Sequence, residues 1–225
     1  MVPETVLIDA DGAALPGELV APAPARPGPG VVAFAHGSGS SRHSPRNQEV
    51  ARVLQRAGLT TLLFDLLTRE EEAVDALTAE HRFDIPLLGR RLTAAVDWIA
   101  RNPATRSLPV GLFGASTGAA AALTAAAGRP GQVKAVVSRG GRPDLAGADL
   151  PRVAAPVLLV VGGEDHEVLR MNREAAERLG GPHTVHVVPG ATHLFEEPGT
   201  LDQAAAAARD WFLRTLAGEV GVPAG

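Results

Sequence analysis

The sequence predicts an α/β domain: a mostly parallel sheet of about eight strands with helices on both faces. Two observations carry this expectation. Short β-rich runs alternate with helical patterns along the chain, the order that a parallel sheet with crossover helices requires. The runs, Val31 to Ala35, Leu59 to Phe64, Val110 to Phe113, Val133 to Val137, Val157 to Val161 and Thr184 to Val188, are apolar on consecutive positions. Strands buried on both faces have that pattern.

In chain order, Thr5 to Ile8 and Glu18 to Ala21 flank the turn signal Asp11-Gly12 and predict an antiparallel hairpin at the sheet edge. The Pro-rich piece Pro22 to Gly30 is too short for an interdomain linker and reads as a stiff surface connection, so residues 1–30 form a hairpin and connection. Val50, Val53, Leu54 and Ala57 share one helical face, and Leu88, Leu92, Ala95, Val96 and Ile99 share another. Leu201 to Leu216 predicts a last helix, and Gly218 to Gly225 a flexible tail. With 225 residues, 45% of them hydrophobic, one domain over 1–225 fits better than two.

Charge and composition exclude several function classes. The net charge is −4 and Lys134 is the only lysine, so there is no broad cationic stripe for nucleic acid. With no cysteine, disulfides, thiolate metal sites and thiol nucleophiles are excluded. No basic stretch leads into an apolar core at the N-terminus, so a cytoplasmic location is the default expectation. Ser107 to Gly128 is uncharged and long enough to span a bilayer by count, but Pro109 and its many Ala and Gly residues predict a buried strand turning into a buried helix instead.

The chemistry concentrates in three places. Gly114-Ala115-Ser116-Thr117-Gly118 follows a predicted strand and precedes a predicted helix, the context of a G-x-S-x-G nucleophile elbow. A serine hydroxyl needs a base to take its proton and a carboxylate to orient that base. Asp165 lies just past the Val157 to Val161 run and His193 just past Thr184 to Val188, so Ser116, Asp165 and His193 fall in chain order at one sheet edge. Glu164 and Glu167 are rival carboxylates, and Asp165 has a competing use as a helix cap. The third place is His36-Gly37-Ser38-Gly39-Ser40-Ser41, a Gly-rich turn whose Ser38 N–H would pair with the Thr117 N–H as an oxyanion hole, with Gly39 as the neighbouring candidate. The pattern of a phosphate-binding loop is absent there.

With these devices in order, the sequence resembles the α/β-hydrolase superfamily and, within it, the small bacterial proteins of the dienelactone hydrolase family, over Val31 to Leu216. The stretch from His36 to Asn47, with Leu63-Phe64-Asp65-Leu66-Leu67-Thr68, is similar to a subgroup sometimes joined to a phosphoribosyltransferase domain. The resemblance implies an α/β-hydrolase fold and a hydrolase of esters, lactones or related acyl compounds. Dienelactone hydrolase itself uses cysteine where this chain has Ser116, so the acyl chemistry carries over and the dienelactone substrate does not. The expected activity is therefore that of a serine carboxylesterase, with thioesterase, lactonase or peptidase as alternatives and a non-catalytic binding protein as the alternative class. The cycle needs no cofactor and no metal. The expected partner is a small acyl substrate, without nucleic acid or membrane, for a monomer or small homo-oligomer.

Only Ser138 to Ala155 separates two predicted strands where related proteins insert a lid, so no cap domain is expected, although Arg69 to Asp84 offers room for a short one. Arg42, His43 and Arg46 follow the oxyanion turn, and Arg139 and Arg142 follow the Val133 to Val137 run. These arginines could bind a substrate carboxylate or phosphate. Equally, Asp65, Glu70, Glu71, Glu72 and Asp144 are available to neutralise them.

Overall fold

The computed structural model describes residues 3–22 and 28–217. Residues 23–27 of the Pro-rich connection and the predicted tail from Gly218 lie outside the described residues. Eight strands form one sheet in the order β1-β2-β4-β3-β5-β6-β7-β8. They are β1 (Glu4–Ala10), β2 (Ala13–Val20), β3 (Val31–Ala35), β4 (Thr60–Phe64), β5 (Val110–Ala115), β6 (Val133–Arg139), β7 (Val157–Gly162) and β8 (His183–Val188). From β3 onward all pairings are parallel; β2 runs antiparallel to both β1 and β4.

The hairpin is longer than predicted. Asp11 and Gly12 both take positive φ, 55° and 85°, as a two-residue turn of the tight hairpin type needs. The second strand starts at Ala13 rather than Glu18. Pro16 and Gly17 inside it disguised the strand, since both weaken a ladder. Pro16 is tolerated because pairing with β4 begins only at Gly17. At the opposite edge β8 departs from the buried pattern: His183, Thr184 and His186 are exposed, because only one neighbour covers it.

The helices are α1 (Pro45–Arg56), α2 (Arg69–Thr78), α3 (Ile85–Arg101), α4 (Thr117–Gly128), α5 (His166–Ala176) and α6 (Thr200–Leu216), with a 3₁₀ segment at Pro143–Arg152. Helices α3, α4 and α5 bury residues against one face of the sheet, including Leu92, Ile99, Leu123 and Ala175. Helices α1 and α6 cover the other with Val50, Leu54, Trp211 and Phe212. Ser44 caps α1, its Oγ accepting from the Asn47 N–H, with Pro45 in the first turn. The uncharged segment from Ser107 resolves into β5 and the buried α4. Among the described residues no helix is long and apolar enough to cross a membrane. No cap domain interrupts the passage from β6 to β7, which holds only the 3₁₀ segment.

Candidate active site

Ser116 sits between β5 and α4 with φ 51° and ψ −123°. A non-glycine residue there carries strain of about 1–3 kcal/mol and persists only where its surroundings over-determine it. Here they do. The Ser116 N–H donates to the Arg139 carbonyl at 3.3 Å, and its own carbonyl accepts from the N–H groups of Arg142 and Ala119, each at 3.1 Å. The flanking glycines permit the turn by close approach: a Cβ on Gly114 would lie 2.4 Å from Ala119 Cα, and one on Gly118 would lie 2.3 Å from the Ala35 carbonyl oxygen. The serine is thus held out beyond the end of β5.

Two adjacent strand ends deliver the base and its carboxylate. His193 Nδ1–H donates to Asp165 Oδ2 at 2.7 Å. Because an ionised carboxylate only accepts, this bond places the proton on Nδ1 and leaves Nε2 as the free acceptor. Asp165 occupies the N-cap position of α5 but makes no side-chain cap bond; its carboxylate is engaged by the histidine instead. Glu164 lies near the exposed His166 at 3.9 Å. The loop carrying His193 is closed by Glu197, whose carboxylate accepts from the Thr192 hydroxyl at 2.6 Å and from the Thr192 N–H at 3.1 Å. The hydroxyl bond above all, with backbone N–H groups of Glu197 and Thr192, holds that carboxyl below the ordinary carboxylate range. Ser116 and His193 line one cavity of about 190 Å³.

The Gly-rich turn after β3 packs directly on the nucleophile, since a Cβ on Gly37 would lie 3.0 Å from Ser116 Cβ. His36 fixes that turn. Its Nε2 accepts from the Leu66 N–H at 3.0 Å and its Nδ1 donates to the Gly37 carbonyl at 3.0 Å, a pair of bonds that only the neutral ring can make. Burial drives its pKa below the ordinary value, outweighing the opposite pull of the Gly37 carbonyl, Asp65 and Glu72. The hydroxyls of Ser38 and Thr117 meet at 3.0 Å, tying the turn to the start of α4. As the first residue of α4, Thr117 has an N–H with no acceptor inside the helix. Gly39, with φ 63°, lines a smaller neighbouring cleft together with Asp75 and Arg82, not the Ser116 cavity.

The arginines separate into two kinds. Arg42 is paired with Asp65 through both its guanidinium and its backbone N–H, and Arg142 forms a two-bond fork with Asp144 at 2.9 and 2.8 Å. Neither lines the cavity. Arg46 and Arg139 do. Arg46 has one acid nearby, the exposed Glu196 at 3.5 Å. Arg139 is 8% exposed and has no acidic partner among the described residues. Its Nη2 reaches Asn47 Oδ1 at 3.4 Å, its guanidinium lies 5.7 Å from the Phe195 ring centroid, and Nε and Nη1 have no hydrogen-bond partner among the described residues. Burial, aided by the charge of Arg46, pushes its pKa down to about 10, which leaves it cationic at neutral pH. The sequence reading missed Asn47, Phe195 and Glu197. The run Thr192-His193 with a glutamate four residues on was the one visible sign of the loop clasp. Among the described residues no group of three or more His, Asp or Glu side chains could hold a metal.

A mostly parallel sheet with a strained serine at the β5–α4 turn, an acid past the end of β7 and a histidine past the end of β8 has the architecture of an α/β hydrolase. The comparisons narrow this class. The profile of the "Dienelactone hydrolase family" matches residues 15–217, and the chain belongs to that family. A crystal structure of a dienelactone hydrolase from Anabaena variabilis is 55% identical, with TM-score 0.91, over 95% of this chain and 98% of that one. A lidless serine hydrolase from Xanthomonas campestris shares the fold at 22% identity and TM-score 0.72, over 98% of this chain and 97% of that one. A Mycobacterium tuberculosis protein named "Putative phosphoribosyl transferase" is 56% identical over 215 residues, 96% of this chain but 47% of the relative. The chain therefore spans about half the length of the curated relatives it matches.

Proposed function

We propose that the chain is a serine hydrolase of carboxylic esters or related acyl compounds, working through an acyl-enzyme. The observation that carries this reading is the strained Ser116 on the same cavity as a His193 whose Nδ1 is held by Asp165 at 2.7 Å. His193 Nε2 takes the Ser116 proton as Oγ attacks the acyl carbonyl. The charge that builds on the carbonyl oxygen is met by the N–H groups of Ser38 and Thr117 and by the positive end of α4. His193 then returns the proton to the leaving group, and water repeats the sequence to release the acid. Asp165 keeps the ring in the productive tautomer and stabilises it when charged.

Family membership and the hydrolase neighbours support the reaction type. The name of the Mycobacterium tuberculosis relative describes a chain about twice as long. Labelling with a fluorophosphonate tests the reading. Ser116 should be modified in the native chain, and labelling should vanish in Ser116→Ala. If the native protein stays unlabelled at neutral pH, the site is non-catalytic and the chain is a small-molecule binder on the same fold. A panel of nitrophenyl esters and thioesters graded by acyl length then separates esterase from thioesterase.

A further inference from the structure

We infer that the side-chain hydroxyls of Ser38 and Thr117 are positioning groups for the oxyanion hole: their bond, between residues 79 apart in the chain, sets the spacing of the two backbone N–H groups that receive the charge on the acyl oxygen. This role rests on the serine-hydrolase reading and extends it from the backbone donors to the side chains that hold them. The two halves of the hole come from different parts of the chain, Thr117 opening α4 and Ser38 lying in the turn after β3. Donors work only when they stand about 2.7–3.1 Å from where the oxyanion will form, so a small error in their spacing matters. Helix and elbow fix the Thr117 N–H. Ser38 is less constrained, because Gly37 and Gly39 flank it. Gly39 stands at φ 63°, with no described atom within 4 Å of where its Cβ would sit, and glycine leaves a backbone its widest freedom. His36 holds the start of the turn, and the Ser40 N–H closes it on the Gly37 carbonyl at 3.2 Å. Between these two, the Ser38 side chain supplies the hold on residue 38.

The hydroxyls form a directed chain. Ser38 Oγ has one proton, which it donates to the Arg82 carbonyl in a long bond of 3.4 Å. The Thr117 hydroxyl is therefore the donor in the 3.0 Å bond to Ser38 Oγ. The far end of the chain is firm, because the buried Asp75 carboxylate accepts from the Arg82 N–H at 2.8 Å and from its Nε at 2.9 Å. At the near end Thr117 is 3% exposed, and leaving a buried hydroxyl without a partner is costly, so the bond is kept. The local sequence carries the same mark. Gly118 and four alanines follow Thr117, and threonine forms helix less readily than alanine. A branched, polar residue thus stands where a small apolar one would suit the helix better.

The rival account makes the pair a purely structural tie, which would steady the protein without favouring one acyl atom over another. Kinetics with nitrophenyl butyrate and its thiono analogue, in which sulfur replaces the carbonyl oxygen, separates the two. An N–H pair spaced for oxygen serves the larger, weakly accepting sulfur poorly, so the native enzyme should prefer the oxygen ester. Thr117→Val and Ser38→Ala should each lower kcat on the oxygen ester by about 10- to 100-fold with KM changed less than about 3-fold, and should lower the oxygen-to-sulfur ratio of kcat by about 10-fold. Thr117→Ser keeps a hydroxyl and should recover most of the loss. The double variant should lose no more than the worse single one, because each change breaks the same bond. Equal losses on both esters, or additive losses in the double variant, would overturn the inference. So would a loss confined to Ser38→Ala, which would make that hydroxyl a donor to the oxyanion itself. Fluorophosphonate labelling keeps the two readings apart. A native chain labelled on Ser116, with variants that match its kinetics, would end the positioning role and leave the hydrolase standing. A native chain that neither labels nor turns over either ester would end both.

Discussion

Two clefts meet at the Ser38 and Thr117 hydroxyl pair, and they handle charge in opposite ways. On the α2 side, the buried acid that shapes the cleft is matched within the protein. Asp75, 3% exposed, accepts from the N–H groups of His81 and Arg82, each at 2.8 Å, and from Arg82 Nε at 2.9 Å. Burial alone would raise its carboxyl, but those donors win and hold it below the ordinary range. On the α1 and β6 side, Arg139 is as buried as Arg91, yet Arg91 has Glu71 at 2.6 Å and the Ala10 carbonyl at 3.1 Å while Arg139 has a single neutral amide. The difference separates a charge matched inside the fold from one that burial leaves with a single neutral partner.

Breaking the matched side should have the largest effect on stability. Helix α2 contributes little apolar burial, with Val74, Leu77 and nearby Phe83 42%, 89% and 58% exposed. It is docked by polar ties instead: the Thr68 and Glu71 capping box, the Glu71 to Arg91 pair and the Asp75 to Arg82 cluster. Asp75→Ala removes the acceptor for three donors and should destabilise by about 2–3 kcal/mol. Urea unfolding measures the loss, and hydrogen exchange should place it in residues 69–84. Unchanged stability would mean that the network is not what docks α2.

The unmatched side should respond with the opposite sign. Replacing a buried, unpaired guanidinium by an apolar side chain of similar length removes a desolvation penalty, so Arg139→Met should raise stability by about 1–2 kcal/mol in the same urea assay. Destabilisation would show that the contact with Phe195 outweighs the missing charge, and the contrast between the clefts would collapse.

What the sequence displays of this contrast is uneven. The elbow, Asp165 and His193 are visible because each follows an apolar run at a position set by chain order, and local spacing suffices. The strand count and the α3 face are visible for the same reason. Pairing of arginines is not local. Asp65 is 23 residues from Arg42 and neutralises it, while Arg46, four residues from Arg42, is left on the cavity wall. Arg139 and Arg142 are three residues apart and have opposite fates, because the first ends β6 and the second meets Asp144 two residues on. Neither composition nor periodicity contains that information; only the fold does, by bringing Asn47 in the first turn of α1 to Arg139 at the end of β6. The second hairpin strand was obscured for another reason, Pro16 and Gly17 being tolerated only by its place next to β4.

The smallest expected effect concerns His36, at the border of the matched cleft, and it appears in pH rather than in activity. Burial lowers its folded-state pKa below the model-peptide value of 6.5, so between the folded value and 6.5 the unfolded chain binds more protons than the folded one. Stability then rises with pH across that window. The contribution is fully present above about pH 6.5 and is lost as pH falls through the folded value. The bonds to Leu66 and Gly37 explain why protonation is resisted: a charged ring has no lone pair for the Leu66 N–H, and so would leave that buried donor unpaired. His36→Gln keeps an acceptor for Leu66 but cannot titrate. Urea midpoints compared at about pH 7.5 and about pH 5.5 should fall more for the native protein than for His36→Gln. Parallel declines would show that His36 takes up its proton in the folded state without penalty, and that the Gly37 turn tolerates a charged ring beside it.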